Sequence, residues 1–259
     1  MDLGIKGRKA IVCASSSGLG LACATALARE GCSVVINGRH EGRLQSAKKH
    51  INDLTGKTVR YVVGDINTPE GREQLIESLP DPDILINNNA GPPPGSLPDW
   101  NHAAWIAALE ANFLAPTMLI QQLVPGMRSR GFGRIVNITS AMVKSPRARM
   151  ALSTSARTAL TAFSKALSIE VASDNVTINN LLPERIDTPR QAFMANKLME
   201  EHGIDREEAR RRISNTIAAK RFGRPEEFAD ACAFLCSAQA GFISGQNLQL
   251  DGGSYPGLI

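Results

Sequence analysis

The stretch Ile11-Val-Cys-Ala-Ser-Ser-Ser-Gly-Leu-Gly20 decides how the rest of the chain is read. A short apolar run enters a turn of small residues, and Leu21-Ala-Cys-Ala-Thr-Ala-Leu27 continues from it as a helix. Small residues let a backbone approach a diphosphate, and the first turn of a helix offers unpaired N–H groups and a partial positive charge to hold it. A G-x-G pair alone is a weak signal. Between a strand and a helix it reads as a nucleotide cradle.

Outward from this turn, short β-branched runs alternate with segments of helical period. Strands are expected at Ala10–Cys13, Ser33–Asn37, Thr58–Val63, Ile84–Ile86, Arg134–Ile138, Thr177–Leu182 and Gln246–Leu250. Helices are expected near Leu19–Arg29, Glu41–Leu54, Pro69–Leu79, Trp100–Arg130, Ser153–Ser173 and Pro225–Ser237. This alternation predicts an α/β fold, a doubly wound parallel seven-stranded sheet in a single domain over residues 1–259, with no linker and no internal repeat. The segment 188–224 is long, charged and mostly helical, and it reads either as a lid over a pocket or as a solvated helical hairpin.

Composition excludes several classes of partner. The chain has 259 residues, 43% hydrophobic and 21% charged, with a formal charge of +4. Apart from Arg206-Glu-Glu-Ala-Arg-Arg-Arg212 the basic residues are scattered, with no basic stripe or paired aromatics, so nucleic acid is not an expected partner. The five cysteines include no C-x-x-C pair and have no histidines at metal spacing, which predicts free thiols in a reducing compartment and no metal site. The first residues carry too short an apolar run for a signal peptide, and no segment is expected to approach the ~18 apolar residues of a membrane helix. A cytoplasmic protein without membrane contact is the expectation.

The second strand ends in Val34-Val-Ile-Asn-Gly-Arg-His40. A free ribose normally meets an acid at this point, about 20 residues beyond the glycine turn, whereas a 2′-phosphate requires a cation. The acid is absent and Arg39 is present, which favours NADP(H) over NAD(H), with Ser17 and Asn37 as helpers. The alternative is that Arg39 is simply a surface residue at a strand end. Asp65, closing the third strand, is placed to accept from adenine N6.

With ASSSGLG at 14–20, NNAG at 88–91, NITS at 137–140, LLPERIDTP at 181–189 and SGQNLQLDGG at 244–253, the chain closely resembles the short-chain dehydrogenase/reductase family over essentially its whole length. The resemblance implies a Rossmann-like domain, a homotetramer or homodimer, that moves a hydride between a nicotinamide and a small-molecule carbonyl or alcohol. It places Ala14, Ser16, Ser17, Gly18, Leu19 and Gly20 at the diphosphate, and Asp65 with Ile66 at adenine. Asn89, Ala90 and Gly91 fall by the ribose, and Pro183, Ile186 and Thr188 at the nicotinamide. Ala14 departs from the family's first glycine.

For catalysis the family uses an asparagine, a serine, and a tyrosine followed four residues later by a lysine. Asn112 and Ser140 match the first two. The tyrosine position falls on Ser153 and the lysine position on Arg157, so both members of the pair are replaced. The chain has only two tyrosines, Tyr61 and Tyr255, neither near Ser140 in sequence. An aliphatic hydroxyl is a far weaker acid than a phenol, and arginine holds its proton too tightly to relay one. Lys144, four residues beyond Ser140, is a candidate replacement donor. The bland alternative is an exposed basic loop, and a third reading makes Lys144, with Arg147 and Arg149, a clamp for an anionic substrate. The expected activity is NADP(H)-dependent reduction of a 3-oxoacyl group or similar ketone at an atypical site. The alternatives are a catalytically silent dinucleotide-binding sensor or scaffold and, behind it, a non-redox enzyme on the same fold.

Overall fold

The computed structural model describes residues 1–258. The alternation in sequence becomes layers in space. Strands β1 (Lys9–Val12), β2 (Ser33–Gly38), β3 (Arg60–Val63), β4 (Ile84–Asn87), β5 (Gly133–Ile138), β6 (Val176–Pro183) and β7 (Asn247–Leu250) form one sheet in the order β3-β2-β1-β4-β5-β6-β7. Every pairing is parallel; Ile11, for instance, is in register with Val35 on one side and Leu85 on the other. The helices are α1 (Gly18–Arg29), α2 (Glu41–Thr55), α3 (Pro69–Ser78), α4 (His102–Leu109), α5 (Ala115–Ser129), α6 (Ala151–Val171), α7 (Pro189–His202), α8 (Arg206–Asn215) and α9 (Pro225–Leu235). This is the expected doubly wound, Rossmann-like domain.

The apolar strands β4 and β5 are buried along their whole length because helices cover both faces, as parallel sheets require. On one face Leu27, Leu44, Ile51 and Phe228 pack against Val12, Ile36 and Ile84. On the other, Leu75, Leu119, Ile120 and Leu160 pack against Ile11, Leu85 and Ile135. The strand order reverses between β1 and β4, which opens a crevice at the carboxyl ends of the central strands.

One helix differs from its expected form. The run expected as a single helix over Trp100–Arg130 is α4 and α5 joined by a π-helical turn, Glu110–Leu114. The side chain of Asn112 in this turn donates to Ala90 O at 3.3 Å and Ala108 O at 3.4 Å, tying the turn to the β4 loop. The same run corrects a second expectation, since His102–Ser129 is long and apolar enough to cross a membrane by length and composition. In the fold it lies along the sheet with Leu119, Ile120, Leu123 and Met127 buried in the core.

The segment 188–224 forms the hairpin α7–α8, closed on Ala195, Ala209 and Ile213 with Leu198, Met199 and Phe222 packed around them. A parallel bridge from Ile186 to Gly223 anchors its two ends.

Arg134 shows how the fold handles a buried charge. It is 1% exposed and donates to the main-chain oxygens of Ser237, Gly133 and Asn175 and to Asn175 Oδ1. Its guanidinium carbon lies 4.3 Å from the centroid of Phe132. Arg134→Ala strands these buried acceptors, and a loss of about 3 kcal/mol of stability is expected in urea unfolding. The five cysteines are all buried and free, and burial pushes the Cys13 thiol up to about 12, far from reactive thiolate.

Candidate active site

The crevice is a cleft of about 810 Å³ floored by the ends of β1, β4, β5 and β6 and bordered by the α7–α8 hairpin. At its centre the β1–α1 turn is held from behind. Ser15 Oγ donates to Val12 O at 2.6 Å, and Asn37 Oδ1 accepts from Ala14 N at 3.4 Å. Asn37 also spends both amide donors on Val62 O and Gly64 O, so it braces the turn and the β3 end. Ala14 has φ +43, a left-handed conformation that costs a side-chain-bearing residue roughly 1–2 kcal/mol.

Ser16, Ser17, Gly18 and Leu19 line the cleft. Ser17 caps α1 without a side-chain hydrogen bond, which leaves the first-turn N–H groups open to the crevice. A Cβ on Gly18 would lie 3.8 Å from Thr188 Cβ, so the turn faces the start of α7 across a narrow gap. Gly20 stands behind this wall instead of lining it. A Cβ there would come 2.6 Å from Ala14 O, so its role is close helix-to-turn packing.

One end of the cleft carries Arg39, Asp65 and Ile66, joined by His40 and Arg43. Arg39 Nη1 lies 3.8 Å from Asp65 Oδ2, with the arginine side chain 62% exposed. An exposed ion pair of this length contributes little and leaves Arg39 free to turn toward a phosphate. Asp65 Oδ1 accepts from Asn67 N at 3.0 Å.

The other end is organised around Arg157, buried at 9% exposure. Its Nη1 donates to Ile138 O at 2.7 Å and Thr139 O at 3.1 Å, and its Nη2 to Asn89 O at 3.4 Å. Among the described residues no carboxylate pairs with it. Burial, with a smaller push from Arg190, lowers its guanidinium to about 10. A Cβ on Gly91 would lie 3.5 Å from Arg157 Nη2 and 3.7 Å from Ser153 Oγ, so guanidinium and hydroxyl open onto the same strip of backbone.

Ser140 also lines this end, its Oγ accepting from Met142 N at 3.2 Å. Asn89, Ala90, Pro183, Ile186 and Thr188 complete the wall. Asn89 donates to Asn67 Oδ1 and Ala111 O, which links the β4 loop to the π turn. Asn112 itself sits behind Ala90, with its Oδ1 buried and lacking a hydrogen-bond partner. Lys144 is not part of the cleft wall, and its Nζ lies 5.7 Å from the ring centroid of Tyr255. Neither tyrosine lines the cleft; Tyr61 OH donates to Glu41 Oε1, at the start of α2, at 3.0 Å.

Sequence reasoning passed over Arg43, Glu184, Arg185 and Arg190, all of which line the cleft. Their available signal was adjacency, since three of them flank Pro183, Ile186 and Thr188, already singled out.

The sequence and fold have counterparts among known proteins. The family model described as enoyl-(acyl carrier protein) reductase matches residues 13–255. The chain is 32% identical over 259 residues to the NADPH-dependent reductase BacG of Bacillus subtilis (strain 168), covering 97% of this chain and 99% of that one. It superposes with a TM-score of 0.94 and 34% identity, over 100% of both chains, on L-sorbose reductase from Gluconobacter frateurii complexed with NADPH and L-sorbose. A 3-oxoacyl (acyl-carrier-protein) reductase from Agrobacterium tumefaciens C58 with NADP bound gives a TM-score of 0.87 at 28% identity, over 97% of this chain and 95% of that one. With residues 13–255 matched by the family model and relatives above 30% identity over nearly the whole chain, the chain belongs to the short-chain dehydrogenase/reductase family.

Proposed function

We propose that the chain is an NADP(H)-dependent oxidoreductase that reduces the carbonyl of a small-molecule ketone, of 3-oxoacyl or similar type, at a site in which Ser153 and Arg157 stand where the family keeps tyrosine and lysine. The observation that carries this reading is Arg157, a buried cation without a carboxylate, opening beside the Ser153 hydroxyl onto the strip where the β4 and β5 ends meet. Arg134, equally without a carboxylate, is enclosed by the carbonyls of Gly133, Asn175 and Ser237 away from the cleft, whereas Arg157 lines it. The relatives described as NADPH-dependent or NADPH-bound support the cofactor and the direction of the chemistry.

The residues present fit that cofactor. The open N–H groups of α1 and the backbone of Ser16 to Leu19 would hold the diphosphate, with Thr188 opposite. Arg39 would turn from Asp65 to the 2′-phosphate, and Ile66, Ala90 and Gly91 would border adenine and ribose. Asn37 would act by bracing the turn. Pro183 and Ile186 would pack at the nicotinamide, which supplies the hydride. The α7–α8 hairpin would close over the cleft as a lid.

In this reading Ser140 donates its hydroxyl proton in a hydrogen bond to the substrate oxygen. Arg157 places positive charge near the oxyanion that forms there and holds ribose hydroxyls. Ser153 is too weak an acid to supply the proton that finishes an alcohol, so that proton comes from solvent in the cleft, while Asn112 acts from behind by tying the π turn to Ala90. The position of Lys144 beside Tyr255 makes it a poor donor to the same oxygen. Exposed Ile106, Leu114 and Ile169 supply apolar surface for the homodimer or homotetramer proposed for the chain.

Titration with NADPH, followed by its fluorescence, and then addition of a panel of oxo esters, thioesters, diketones and sugar ketones tests the reading. Substrate-dependent loss of NADPH is expected; tight binding with no loss across the panel would instead assign a silent dinucleotide sensor. Arg39→Asp is expected to weaken NADPH binding about 10- to 100-fold while improving that of NADH, because it removes charge-assisted bonds to the 2′-phosphate and offers an acceptor to a free ribose.

A further inference from the structure

The substrate end of the cleft carries more positive charge than the cofactor consumes. Arg39 and Arg43 serve the 2′-phosphate end, and Arg190 follows Thr188, which faces the diphosphate turn. With Arg157 assigned to the reacting oxygen and Lys197 paired with Glu201, that leaves Arg147, Arg149 and Arg185, on the loop after β5 and just beyond β6, with Glu184 as the one carboxylate beside them. Glu184, its side chain 11% exposed, is ion-paired with Arg147 and lies 3.8 Å from Arg185 Nε.

Arg185 is under-satisfied. Its Nε is buried without a hydrogen-bond partner, and its Nη1 reaches Gln191 Oε1 only at 3.5 Å. Burial lowers its guanidinium, and the chain holds it there at φ +55, with Arg149 at φ +66. Left-handed backbone at side-chain-bearing residues is sustained only where the surroundings demand it. Two such arginines border one pocket.

We propose that the substrate is an oxo acid whose free carboxylate docks on the Arg185 guanidinium, with Arg147 and Arg149 adding to the field and Glu184 holding Arg147 back from it. The proposal rests on the reductase reading and adds the charge of the substrate to it. A carboxylate meets a planar guanidinium through paired N–H···O bonds, which a neutral ester, sugar or thioester does not offer. The excess of three cations over one anion also draws such a substrate into the cleft.

Calorimetric titration of 3-oxohexanoate and methyl 3-oxohexanoate into the NADP⁺-saturated protein tests this without turnover, so it stands apart from any failure of reduction. The acid is expected to bind at least 10-fold more tightly than the ester. Arg185→Gln is expected to weaken acid binding about 10- to 100-fold and collapse the acid-to-ester ratio. Glu184→Gln has the opposite expected sign, tightening the acid by releasing Arg147. Loss of a purely structural contact weakens both ligands in both variants. If Arg185→Gln does not fold, the sign of the Glu184→Gln effect decides alone. Equal binding of acid and ester, or a ratio unmoved by Glu184→Gln, overturns the proposal.

Discussion

The double variant Ser153→Tyr, Arg157→Lys is expected to reduce a ketone with a kcat about 10²- to 10⁴-fold above that of the natural chain. A tyrosine phenol has a pKa near ~10, and an adjacent ammonium lowers it toward neutrality, so it can give up a proton as the oxyanion forms. In the proposed reading Ser153 occupies the position for this exchange. It lines the cleft beside Gly91, whose missing side chain leaves room next to the Ser153 hydroxyl, so a larger side chain is directed along the cleft wall. Lysine at 157 keeps the positive charge and reaches the same carbonyls with three donors. The gain belongs in kcat at saturating NADPH. An unchanged kcat with intact NADPH binding would show that proton delivery does not limit the reaction.

Arg157→Met is expected to lower kcat/KM about 10²- to 10³-fold, the size of effect seen when a donor to a developing oxyanion is removed. The substitution also strips the carbonyls of Ile138, Thr139 and Asn89 of the donors that set the floor of the cleft. A pH signature separates charge from packing. Burial holds the Arg157 guanidinium at about 10 in the free protein, so its charge is present below that value and lost above it. NADPH affinity of the natural chain is therefore expected to fall as pH rises through about 10, and the methionine variant is expected to lack that limb. Stability moves the other way. The folded value lies below the unfolded one, so the unfolded chain binds more protons in that window. The cost of burying the charge, in force below pH about 10, is relieved above it. Parallel pH profiles for the two proteins would contradict the assignment.

The layered architecture was legible because β-branched runs and helical periods alternate without interruption from Ile11 to Leu250. All seven strands fall within two residues of their expected bounds. The π turn was not legible, since its sequence Glu110-Ala-Asn-Phe-Leu114 has an ordinary helical pattern. What bends it is a tertiary bond from Asn112 to the β4 loop, distant in sequence. The cofactor turn was read from residue size alone, yet size could not show that Gly20 faces inward. The same limit applied to Lys144. Its spacing from Ser140 suggested the pocket, and only the fold brings its ammonium to 5.7 Å from the ring centroid of Tyr255 in the C-terminal tail. Pairings such as Arg147 with Glu184 join a loop to a strand end and leave no local trace in the sequence.

The central claim is hydride transfer from NADPH at a site lacking a phenol. A single-turnover reaction with NADPH deuterated at C4 of the nicotinamide, analysed by mass spectrometry of the product, tests it most directly. Deuterium on the former carbonyl carbon of the alcohol is the predicted result. Tightly bound NADPH that keeps its deuterium against every ketone offered would contradict it.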